Sequence, residues 1–397
     1  MKRFVCFVII FTMKKMIYAD NAATTKICDE AYEAMQPYFK DIYANPSQGY
    51  GAGTIAKRAL NDARHTVAET LSSFDREIIF TSGGSESDNL AIIGVMDACH
   101  DKGRHIITTD IEHKAVLNTV KYLERCGARV TYVHAGADGR VRPSDIEAAI
   151  CNDTVLISVM AANNETGTIQ PIEEIGRIAK AHGVLFHTDA VQAYGKIELD
   201  PYSMNINLMS ASSHKFNGPR GAGFLYVKRG TPVSGIIHGG DQEYGLRAGT
   251  ENLPAIAGMA AAAKLSYEKM EERAAYERSL TSRLYKRITR EIEGVHLNGD
   301  YENRLPGTLN FSFNRVEGES LLIALDMKGI CVSTGSACVL SIDDPSHVIM
   351  ALTGSEERAR QSIRFSLSHE NTMEEVDAIA DAVAESVQYL RGLRSDG

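Results

Sequence analysis

Short apolar runs alternate with amphipathic segments from about Ile78 to Val227, and this alternation restricts the possible folds more than any other feature. Helical patterns such as SESDNLAIIGVMDACH and PIEEIGRIAKAHG lie between several of the runs. Apolar runs connected in this way are typical of parallel strands that helices cover on both faces. The sequence therefore predicts an α/β fold with a largely parallel sheet, and the runs include EIIFTS, HIITTD, ARVTYVHA, VLISVMAA, VLFHTDA and GAGFLYVKR.

The pattern changes near Asn252, where a long helical stretch begins that we expect to connect two regions. Beyond it lie the strand-like TLNFSFNRV and QSIRFSLS, the helix-like GESLLIALDMKG, and a terminal helix in which Thr372 and Glu375 have the spacing of a capping box. These features predict a smaller α+β domain, as expected for a chain too long for one simple core. We predict an N-terminal extension at 1–15, a segment joining the small domain at 16–30, a large domain at 31–260 and a small domain at 261–397.

The composition argues against several classes of protein. A formal net charge of −9 is unfavourable for a nucleic-acid surface, which needs a basic face. The seven cysteines are odd in number and show no Cys-x-x-Cys spacing, which argues against a disulfide scaffold or a zinc site. We therefore expect a cytoplasmic protein without a metal site and without direct nucleic-acid binding.

The first fifteen residues, MKRFVCFVIIFTMKK, carry two positive charges before a short apolar run. No small-residue cleavage site follows the run, and the run is too short to span a bilayer. We expect residues 1–15 to result from a start codon assigned too early, with Met16 as the natural start. A weak membrane-directing segment is the alternative, and nothing else in the sequence has transmembrane character.

The stretch FTSGGSESDNLAI contains a predicted strand, a glycine turn and a helix. Gly83 and Gly84 allow a tight turn, and the free N–H groups near Ser85 at the start of the helix suit a phosphate. A plain strand–helix turn explains the same residues, and both interpretations stay open at this point.

Asp189 in VLFHTDAVQ ends a predicted buried strand, where a carboxylate needs a partner. A cationic ring nitrogen and a structural arginine are both suitable partners. Gln192 follows three residues later, within reach of the same ligand if the chain turns there. Ligands in open α/β sheets bind at this end of the strands.

Lys215 in LMSASSHKFNGPRGAG lies at the end of another apolar run, which is an unusual place for a lysine. Desolvation there favours a neutral amine that is able to form a Schiff base. Ser212, Ser213 and His214 beside it suit a phosphate. A lysine amine, an acid for a ring nitrogen and a phosphate cup are the parts that a pyridoxal phosphate site requires, and their occurrence together in one domain strongly favours such a site.

Four other residues carry polar side chains at predicted strand ends or in an apolar run. His113 at a strand-to-helix junction either stacks on a cofactor ring and moves protons or caps the helix. Asn163 and Asn164 suit either a turn or hydrogen bonds to a ligand. Arg364 in SIRFSLS is well suited to hold a substrate carboxylate bidentately.

Cys338 lies in STGSACVLSID, between small residues and a short acidic run. Composition alone makes it one of seven thiols that are inert in most proteins. Its position after Gly335, Ser336 and Ala337, in a chain that carries the parts of a pyridoxal phosphate site, favours an exposed and reactive thiol on a mobile loop.

Taken together, these stretches resemble the cysteine desulfurases of the nitrogen-fixation and iron–sulfur-cluster type, within the class V aminotransferase group. The resemblance covers nearly all of the chain from Met16 on. It implies the pyridoxal-phosphate-dependent transferase fold type I, with a seven-stranded, mostly parallel sheet in the large domain. The matching stretches are YADNAATT, NPS, FTSGGSESDN, EHKA, NNETG, HTDAVQ, SSHK, RAGTEN, STGSAC and SIRFSLS.

The resemblance also implies a role for each candidate residue. Lys215 is the lysine that binds pyridoxal 5′-phosphate, His113 stacks on the ring and moves protons, and Cys338 accepts the sulfur. Arg364 and Asn164 bind the substrate, and no metal is implied beyond a transient bond from Cys338 to a nascent iron–sulfur cluster. The other implied cofactor contacts are Gly84, Ser85, Ser212 and His214 at the phosphate, Asp189 at the ring nitrogen, Gln192 at the ring hydroxyl, Asn164, and Thr250 from the neighbouring subunit of a homodimer.

The implied activity converts L-cysteine to L-alanine and leaves the sulfur as a persulfide on Cys338. An acceptor protein, such as an iron–sulfur scaffold or a tRNA-thiolation enzyme, then receives the sulfur. A selenocysteine lyase or a related lyase, which does not need Cys338, is the close alternative. A non-catalytic scaffold that binds pyridoxal phosphate is a remote one.

Overall fold

The computed structural model describes residues 16–334 and 345–395. The predicted extension at 1–15 and the predicted sulfur acceptor Cys338 lie outside these residues. The strands are β1 (Ile17–Tyr18), β2 (Ile78–Thr81), β3 (His105–Thr109), β4 (Arg129–Val133), β5 (Thr154–Ser158), β6 (Leu185–Asp189), β7 (Leu208–Ser212), β8 (Gly223–Val227), β9 (Val295–Leu297), β10 (Thr308–Phe313), β11 (Ile330–Cys331) and β12 (Ser362–Ser366). The α-helices are α1 (Asp29–Met35), α2 (Pro37–Lys40), α3 (Gly51–Glu69), α4 (Gly84–Ala98), α5 (Lys114–Arg125), α6 (Pro143–Ala149), α7 (Ile172–His182), α8 (Leu253–Glu268), α9 (Met270–Glu291), α10 (Gly318–Asp326), α11 (His347–Thr353), α12 (Glu356–Arg360) and α13 (Met373–Ser395).

The central sheet has seven strands in the order β2-β8-β7-β6-β5-β3-β4. Its neighbours pair in parallel except at β8, which runs antiparallel to both β2 and β7. The strands are rich in buried Ile, Leu, Val and Phe, because helices cover both faces of the sheet. This architecture confirms the predicted α/β fold with a mostly parallel seven-stranded sheet.

Two apolar layers enclose the central sheet. Helices α4 and α5 pack on one face through side chains such as Leu90, Val95 and Val120. Helices α3, α7 and α8 pack on the other face, where Val67 and Met259 are fully buried. The layers hold the strands in register, so that the loops after the strands start from fixed points.

A separate apolar core belongs to the smaller sheet, in which β10 pairs with β12 and β9. Helices α9, α10 and α13 surround this core. Thr372 and Glu375 form the predicted capping box, because each side chain accepts a hydrogen bond from the backbone N–H of the other. The domain boundaries at residues 30 and 260 stay predictions.

The long helical stretch after Asn252 differs from the expectation of one connecting helix. Helix α8 ends at Glu268, and α9 begins at Met270 after Lys269, whose φ of −107° and ψ of 7° interrupt the helix. Within the described residues, no helix combines the length and the apolar character needed to cross a membrane.

Candidate active site

The site lies at the carboxyl edge of the central sheet, where several parallel strands end side by side. Strand β2 leads into Gly84, β3 into His113 and β5 into Asn164. Strand β6 ends at Asp189, and β7 is followed by a 3₁₀ turn, Ser213–Lys215, that places Lys215 at the same edge. The topology therefore brings together residues that are far apart in sequence, as expected for ligand sites in open α/β sheets.

These residues line one cavity of about 240 Å³. Every cofactor residue predicted from the sequence lines it, with the exception of Thr250. The cavity residues are Ala23, Gly84, Ser85, Asp88, His113, Met160, Ala162, Asn164, Asp189, Val191, Gln192, Ser212, His214 and Lys215.

Lys215 projects its amine toward the N-terminal stretch that covers the cavity. Its Nζ donates to the carbonyl oxygens of Ala22 at 2.6 Å and Ala23 at 2.8 Å. The amine is therefore held beside the cavity wall by backbone acceptors. A nucleophilic amine needs this combination of a fixed position and access to the ligand space.

Asp189 is buried at the end of β6, and its Oδ1 accepts a hydrogen bond from the N–H of Val191 at 2.9 Å. Burial raises the pKa of Asp189. No arginine contacts the carboxylate among its hydrogen bonds and ion pairs in the described residues. A cationic ring nitrogen would supply the missing positive partner and favour the charged carboxylate.

His113 caps a helix and also lines the cavity, so the cap does not exclude a position beside a ligand. It is the N-cap of α5, and its Nδ1 accepts a hydrogen bond from the N–H of Ala115 at 3.1 Å. Burial lowers the pKa of His113, so the imidazole is neutral at pH 7. Because Nδ1 is an acceptor, the ring proton is on Nε2, and the helix cap thereby fixes the tautomer.

The phosphate-binding interpretation of the glycine turn fits the structure. Gly83 has a φ of +151°, and α4 begins at Gly84 with the free N–H groups of its first turn beside the cavity. The space beside the first turn of α4 is called the phosphate cradle below. A Cβ on Gly84 would lie 2.6 Å from Cγ2 of Val191, so a larger residue would fill this space. Ser85, Ser212 and His214 complete the lining of this end.

His214 adds a neutral hydrogen-bonding group beside Lys215. Burial, with a further contribution from the Lys215 charge, lowers the pKa of His214 to about 4. Its Nδ1 lies 3.1 Å from Oγ1 of Thr24. The imidazole is therefore uncharged at neutral pH and would recognise a ligand through hydrogen bonds.

Gln192 is buried with one polar atom that lacks a partner in the described part of the chain. Its Nε2 donates to the carbonyl of Ala22 at 2.9 Å, whereas Oε1 makes no hydrogen bond. An unpaired buried acceptor costs on the order of 1–3 kcal/mol. A ring hydroxyl in the cavity would satisfy it, so the chemistry of these donors and acceptors fits pyridoxal phosphate.

Arg364 on β12 lies beside the cavity rather than in its lining. Its Nη1 donates to the carbonyl of Asn164 at 2.7 Å, and its Nη2 contacts Oδ1 of Asp20 at 2.7 Å. Nε has no partner among the described residues. A guanidinium has five N–H donors, so Arg364 still has donors for a substrate carboxylate while its hydrogen bond to Asn164 holds it beside the cavity.

One predicted cofactor residue of the described chain is not brought to the cavity. Thr250 is exposed between α8 and a 3₁₀ turn, Gln242–Gly245. Arg247 pairs with Glu86 at the start of α4 at 2.9 Å, which ties the loop of Thr250 to the glycine turn. Cys338 lies outside the described residues.

Two charged residues of the site had no prediction from the sequence. Asp88 lines the cavity one helical turn after Gly84, a spacing that could have indicated it. Burial and the Asp189 charge raise its pKa, and its Oδ1 has no hydrogen-bond partner in the described chain. Asp20 is the ion-pair partner of Arg364, and only the fold reveals this pairing across 344 residues.

Glu112, next to His113, makes the stability of the site dependent on pH. Burial is the main reason that its pKa is raised from 4.5 to about 8. A group with a raised folded-state pKa contributes stability below the unfolded pKa, and this contribution is lost as the pH rises through about 8. Between pH 5 and 8 the original chain should lose on the order of 1 kcal/mol of its free energy of unfolding per pH unit. We expect Glu112→Gln to abolish this loss.

Thermal unfolding of both proteins at pH 5.5, 7 and 8.5 measures this difference. The variant should gain stability relative to the original chain as the pH rises. Glu173→Gln, at an exposed position of α7, is the matched control and should show no such trend. If the thermal stabilities of Glu112→Gln and the original chain changed in parallel with pH, the assignment of Glu112 as a buried, neutral carboxyl would be wrong.

Comparison with known proteins agrees with this site. The model of the class-V aminotransferase family matches residues 17–379. The chain is 47% identical to the cysteine desulfurase IscS of Methanosarcina thermophila over 97% of this chain and 95% of that protein. It is 46% identical to the cysteine desulfurase IscS of Clostridium botulinum, with 96% of each chain covered.

Solved structures show the same architecture. A NifS-like protein superposes with a TM-score of 0.89 at 39% identity, over 94% of this chain and 100% of that one. A NifS-like protein from Rickettsia africae gives a TM-score of 0.85 at 31% identity, over 94% and 99% of the two chains.

The chain is therefore an enzyme of the class-V aminotransferase family. Within that family it belongs with the cysteine desulfurases, which confirms the resemblance seen in the sequence. Enzymes of this group depend on pyridoxal phosphate, in agreement with the parts gathered in the cavity.

Proposed function

We propose that this enzyme removes sulfur from L-cysteine, with L-alanine as the product and Cys338 as the first sulfur acceptor. The single observation that supports this most strongly is the cavity that joins Lys215, Asp189 and His113 to a phosphate cradle. Curated relatives named cysteine desulfurase match nearly the whole chain. One solved relative, with 38% identity and a TM-score of 0.79 over 88% of this chain and 98% of its own, is described as SspA in complex with cysteine.

The chain's own residues supply binding and proton transfer in this proposal. When bound, pyridoxal phosphate supplies an electron sink for bond breaking at the substrate Cα. Asp189 would hold a positive ring nitrogen, and the first turn of α4 would hold the phosphate. Lys215 Nζ, freed from its two carbonyl acceptors, would take the Cα proton.

His113 has the tautomer that this chemistry needs. Its Nδ1 is occupied by the helix cap, so Nε2–H is the group that His113 presents to the cavity, as a hydrogen-bond donor. The imidazole is neutral at pH 7 because burial lowers its pKa. A neutral ring would be able to stack on the cofactor and to donate a hydrogen bond from Nε2–H to the substrate sulfur.

Arg364 is proposed to select substrates that carry a carboxylate. We expect Arg364→Lys to raise KM for L-cysteine by about 10²-fold, because a lysine keeps the charge but loses the bidentate fork. Steady-state kinetics measure the effect, and the visible absorbance of the bound cofactor should be unchanged. Arg360→Lys, at an exposed position four residues earlier, is the control and should leave KM unaltered. A normal KM in Arg364→Lys would exclude a substrate role.

The residues on both sides of 335–344 support the role of Cys338. Ser333 and Arg364 exchange backbone hydrogen bonds, so the chain leaves the described region beside the proposed substrate residue. It re-enters before Ser346, whose hydroxyl donates to Glu165, and His347 contacts the carbonyl of Glu112. Cys338 is four residues after Thr334, which limits its distance from that point to at most about 14 Å.

A homodimer, an acceptor protein and a cytoplasmic location complete the proposal. Thr250 is exposed and does not line the cavity of its own chain, which leaves it available to a neighbouring subunit. Large apolar side chains are also exposed, among them Tyr43 at 81% and Phe74 at 65%. Sedimentation equilibrium should give twice the 43.4 kDa mass of one chain. The sulfur carried by Cys338 would pass to an iron–sulfur scaffold or a tRNA-thiolation enzyme.

Mass spectrometry after incubation with L-cysteine tests the function directly. The peptide that contains Cys338 should gain one sulfur atom, and alanine should accumulate. The selenocysteine lyase alternative predicts alanine from selenocysteine without sulfur on Cys338. Absence of both products from L-cysteine would contradict the proposed activity.

A further inference from the structure

Two ion pairs connect the buried side of helix α3 with the phosphate cradle. The first pair joins Arg64 of α3 to Glu243, and the second joins Arg247 to Glu86 in the first turn of α4. The segment 242–250 carries one partner of each pair, and we call it the Arg247 loop. The proposed mechanism gives none of these four residues a role.

The Arg64–Glu243 pair anchors the Arg247 loop to strand β2. Nη1 and Nη2 of Arg64 lie 2.6 and 2.7 Å from the two carboxylate oxygens of Glu243, and both side chains are buried. Glu243 also accepts a hydrogen bond from the N–H of Phe80 at 2.8 Å. Arg64 donates to the carbonyl of Ile78 at 2.6 Å. Because β2 leads into the glycine turn, the loop and the phosphate cradle are fixed to the same strand.

The backbone of the Arg247 loop shows why it needs this anchor. Glu243 and Tyr244 have φ values of +47° and +59°. Residues with a Cβ rarely adopt this left-handed region, because the Cβ then approaches the following carbonyl oxygen. The buried pair with Arg64 therefore holds a turn that its own residue types disfavour. The side chain of Gln242 closes the loop, since it accepts a hydrogen bond from the N–H of Gly249 at 3.1 Å.

Arg247 is placed by this loop against Glu86. Its Nε donates to Oε1 of Glu86 at 2.9 Å, and its Nη2 lies 3.4 Å from Oε2. The same carboxylate accepts a hydrogen bond from the N–H of Ser82 at 2.9 Å, so it folds back over the glycine turn. Burial opposes the ionisation of Glu86, but the hydrogen bonds from Arg247 and Ser82 outweigh burial and lower its pKa. Glu86 is therefore charged at neutral pH and held beside the phosphate cradle.

The charge of Glu86 is unfavourable for a phosphate. Gly84, Ser85 and Glu86 form the first turn of α4, where the free N–H groups and the helix dipole attract an anion. A carboxylate in that turn repels a phosphate and competes with it for the same dipole. Arg247 offsets this charge, and the pair is only 23% and 12% exposed, so solvent ions screen it weakly.

We propose that Arg247 is a positioning residue for the cofactor phosphate, because it neutralises Glu86 while the Arg64–Glu243 pair keeps it in place. The effect acts on the affinity for compounds that carry a phosphate. Thr250 lies three residues after Arg247, so in the proposed homodimer one loop would serve the cradle of its own chain and that of its neighbour. The inference rests on the phosphate position in the proposed function, and it does not depend on turnover of L-cysteine.

Cofactor titration of the full chain, freed of pyridoxal phosphate, tests the proposal. We expect Arg247→Met to weaken the affinity for pyridoxal phosphate about tenfold or more, because the Glu86 charge then faces the phosphate unopposed. The affinity for pyridoxal, which has the same ring but no phosphate, should be unchanged. Arg177→Met, at an exposed position of α7, is the matched control and should bind both compounds normally.

A double variant separates electrostatic neutralisation from a loss of structure. Arg247→Met combined with Glu86→Gln should regain most of the affinity for pyridoxal phosphate, since the repelling charge is gone. Glutamine keeps an acceptor for the N–H of Ser82, so the turn itself is preserved. Glu243→Gln should show the same selective loss of affinity, and Glu86→Gln should restore it there as well. A variant with a collapsed cavity would bind neither compound and would not be rescued.

Three results would overturn the proposal. Unchanged affinity for pyridoxal phosphate in Arg247→Met would show that the Glu86 charge does not reach the phosphate. An equal loss of affinity for pyridoxal would assign Arg247 to the shape of the cavity instead. Failure of Glu86→Gln to restore the affinity would exclude neutralisation as the cause. If the variants respond as expected but the original chain releases no sulfur from L-cysteine, the proposed activity is wrong and this inference stands.

Discussion

Replacement of Lys215 by alanine is expected to reduce turnover of L-cysteine by at least about 10³-fold. The same variant should lose the visible absorbance band of lysine-bound cofactor, whereas pyridoxal phosphate is still able to enter the cavity. The physical reason is that Lys215 supplies both the attachment point and the base at one position in the cavity. The neighbouring His113 and His214 are held by other hydrogen bonds, so neither imidazole is able to replace the amine of Lys215.

A second variant separates this chemical role from a structural one. Lys215 also donates to the carbonyls of Ala22 and Ala23, so alanine removes two hydrogen bonds of the N-terminal stretch. Lys215→Arg keeps donors for these carbonyls but has no nucleophilic amine, and we expect it to be equally inactive. Lys180→Ala on the exposed face of α7 is the control and should be fully active. Substantial turnover in Lys215→Arg would contradict the proposed role.

The sequence predicted the strands and the positions of most site residues because both depend on local patterns. Buried parallel strands produce continuous apolar runs, and a polar residue at the end of such a run is conspicuous. Asp189 and Lys215 were identified in this way, and the fold places both in one cavity. The shortest strands were less apparent, since β9 has only three residues and β11, which pairs with β1, has only two.

Other features depend on contacts that no local pattern records. Arg364 was predicted as a carboxylate-binding residue, yet its ion pair with Asp20 joins the two ends of the chain. The break between α8 and α9 falls at Lys269, a residue type that helices accept readily, so packing rather than propensity interrupts the helix. The capping role of His113 and its cavity position were exclusive alternatives in the sequence, whereas one side chain fulfils both in the structure.

Replacement of Cys338 by alanine is expected to reduce sulfur release from L-cysteine by about 10³-fold or more, because the thiolate that attacks the substrate sulfur is removed. Lys215 and Asp189 are unaffected, so the cofactor absorbance should be retained. Turnover of selenocysteine should largely survive, since a selenium leaving group depends less on an acceptor thiol. Sulfide, selenide and alanine measured for both substrates give the comparison.

Cys331→Ala is the matched control for this experiment. Cys331 is seven residues earlier on β11, and burial raises the pKa of its thiol, so we expect this variant to release sulfur normally. The Cys338 variant should also fail to gain sulfur in peptide mass spectrometry. If it releases sulfur from L-cysteine at the original rate, the persulfide mechanism is wrong. The cavity would then serve a lyase that expels the leaving group directly, and the backbone pairing of Ser333 with Arg364 would need another purpose.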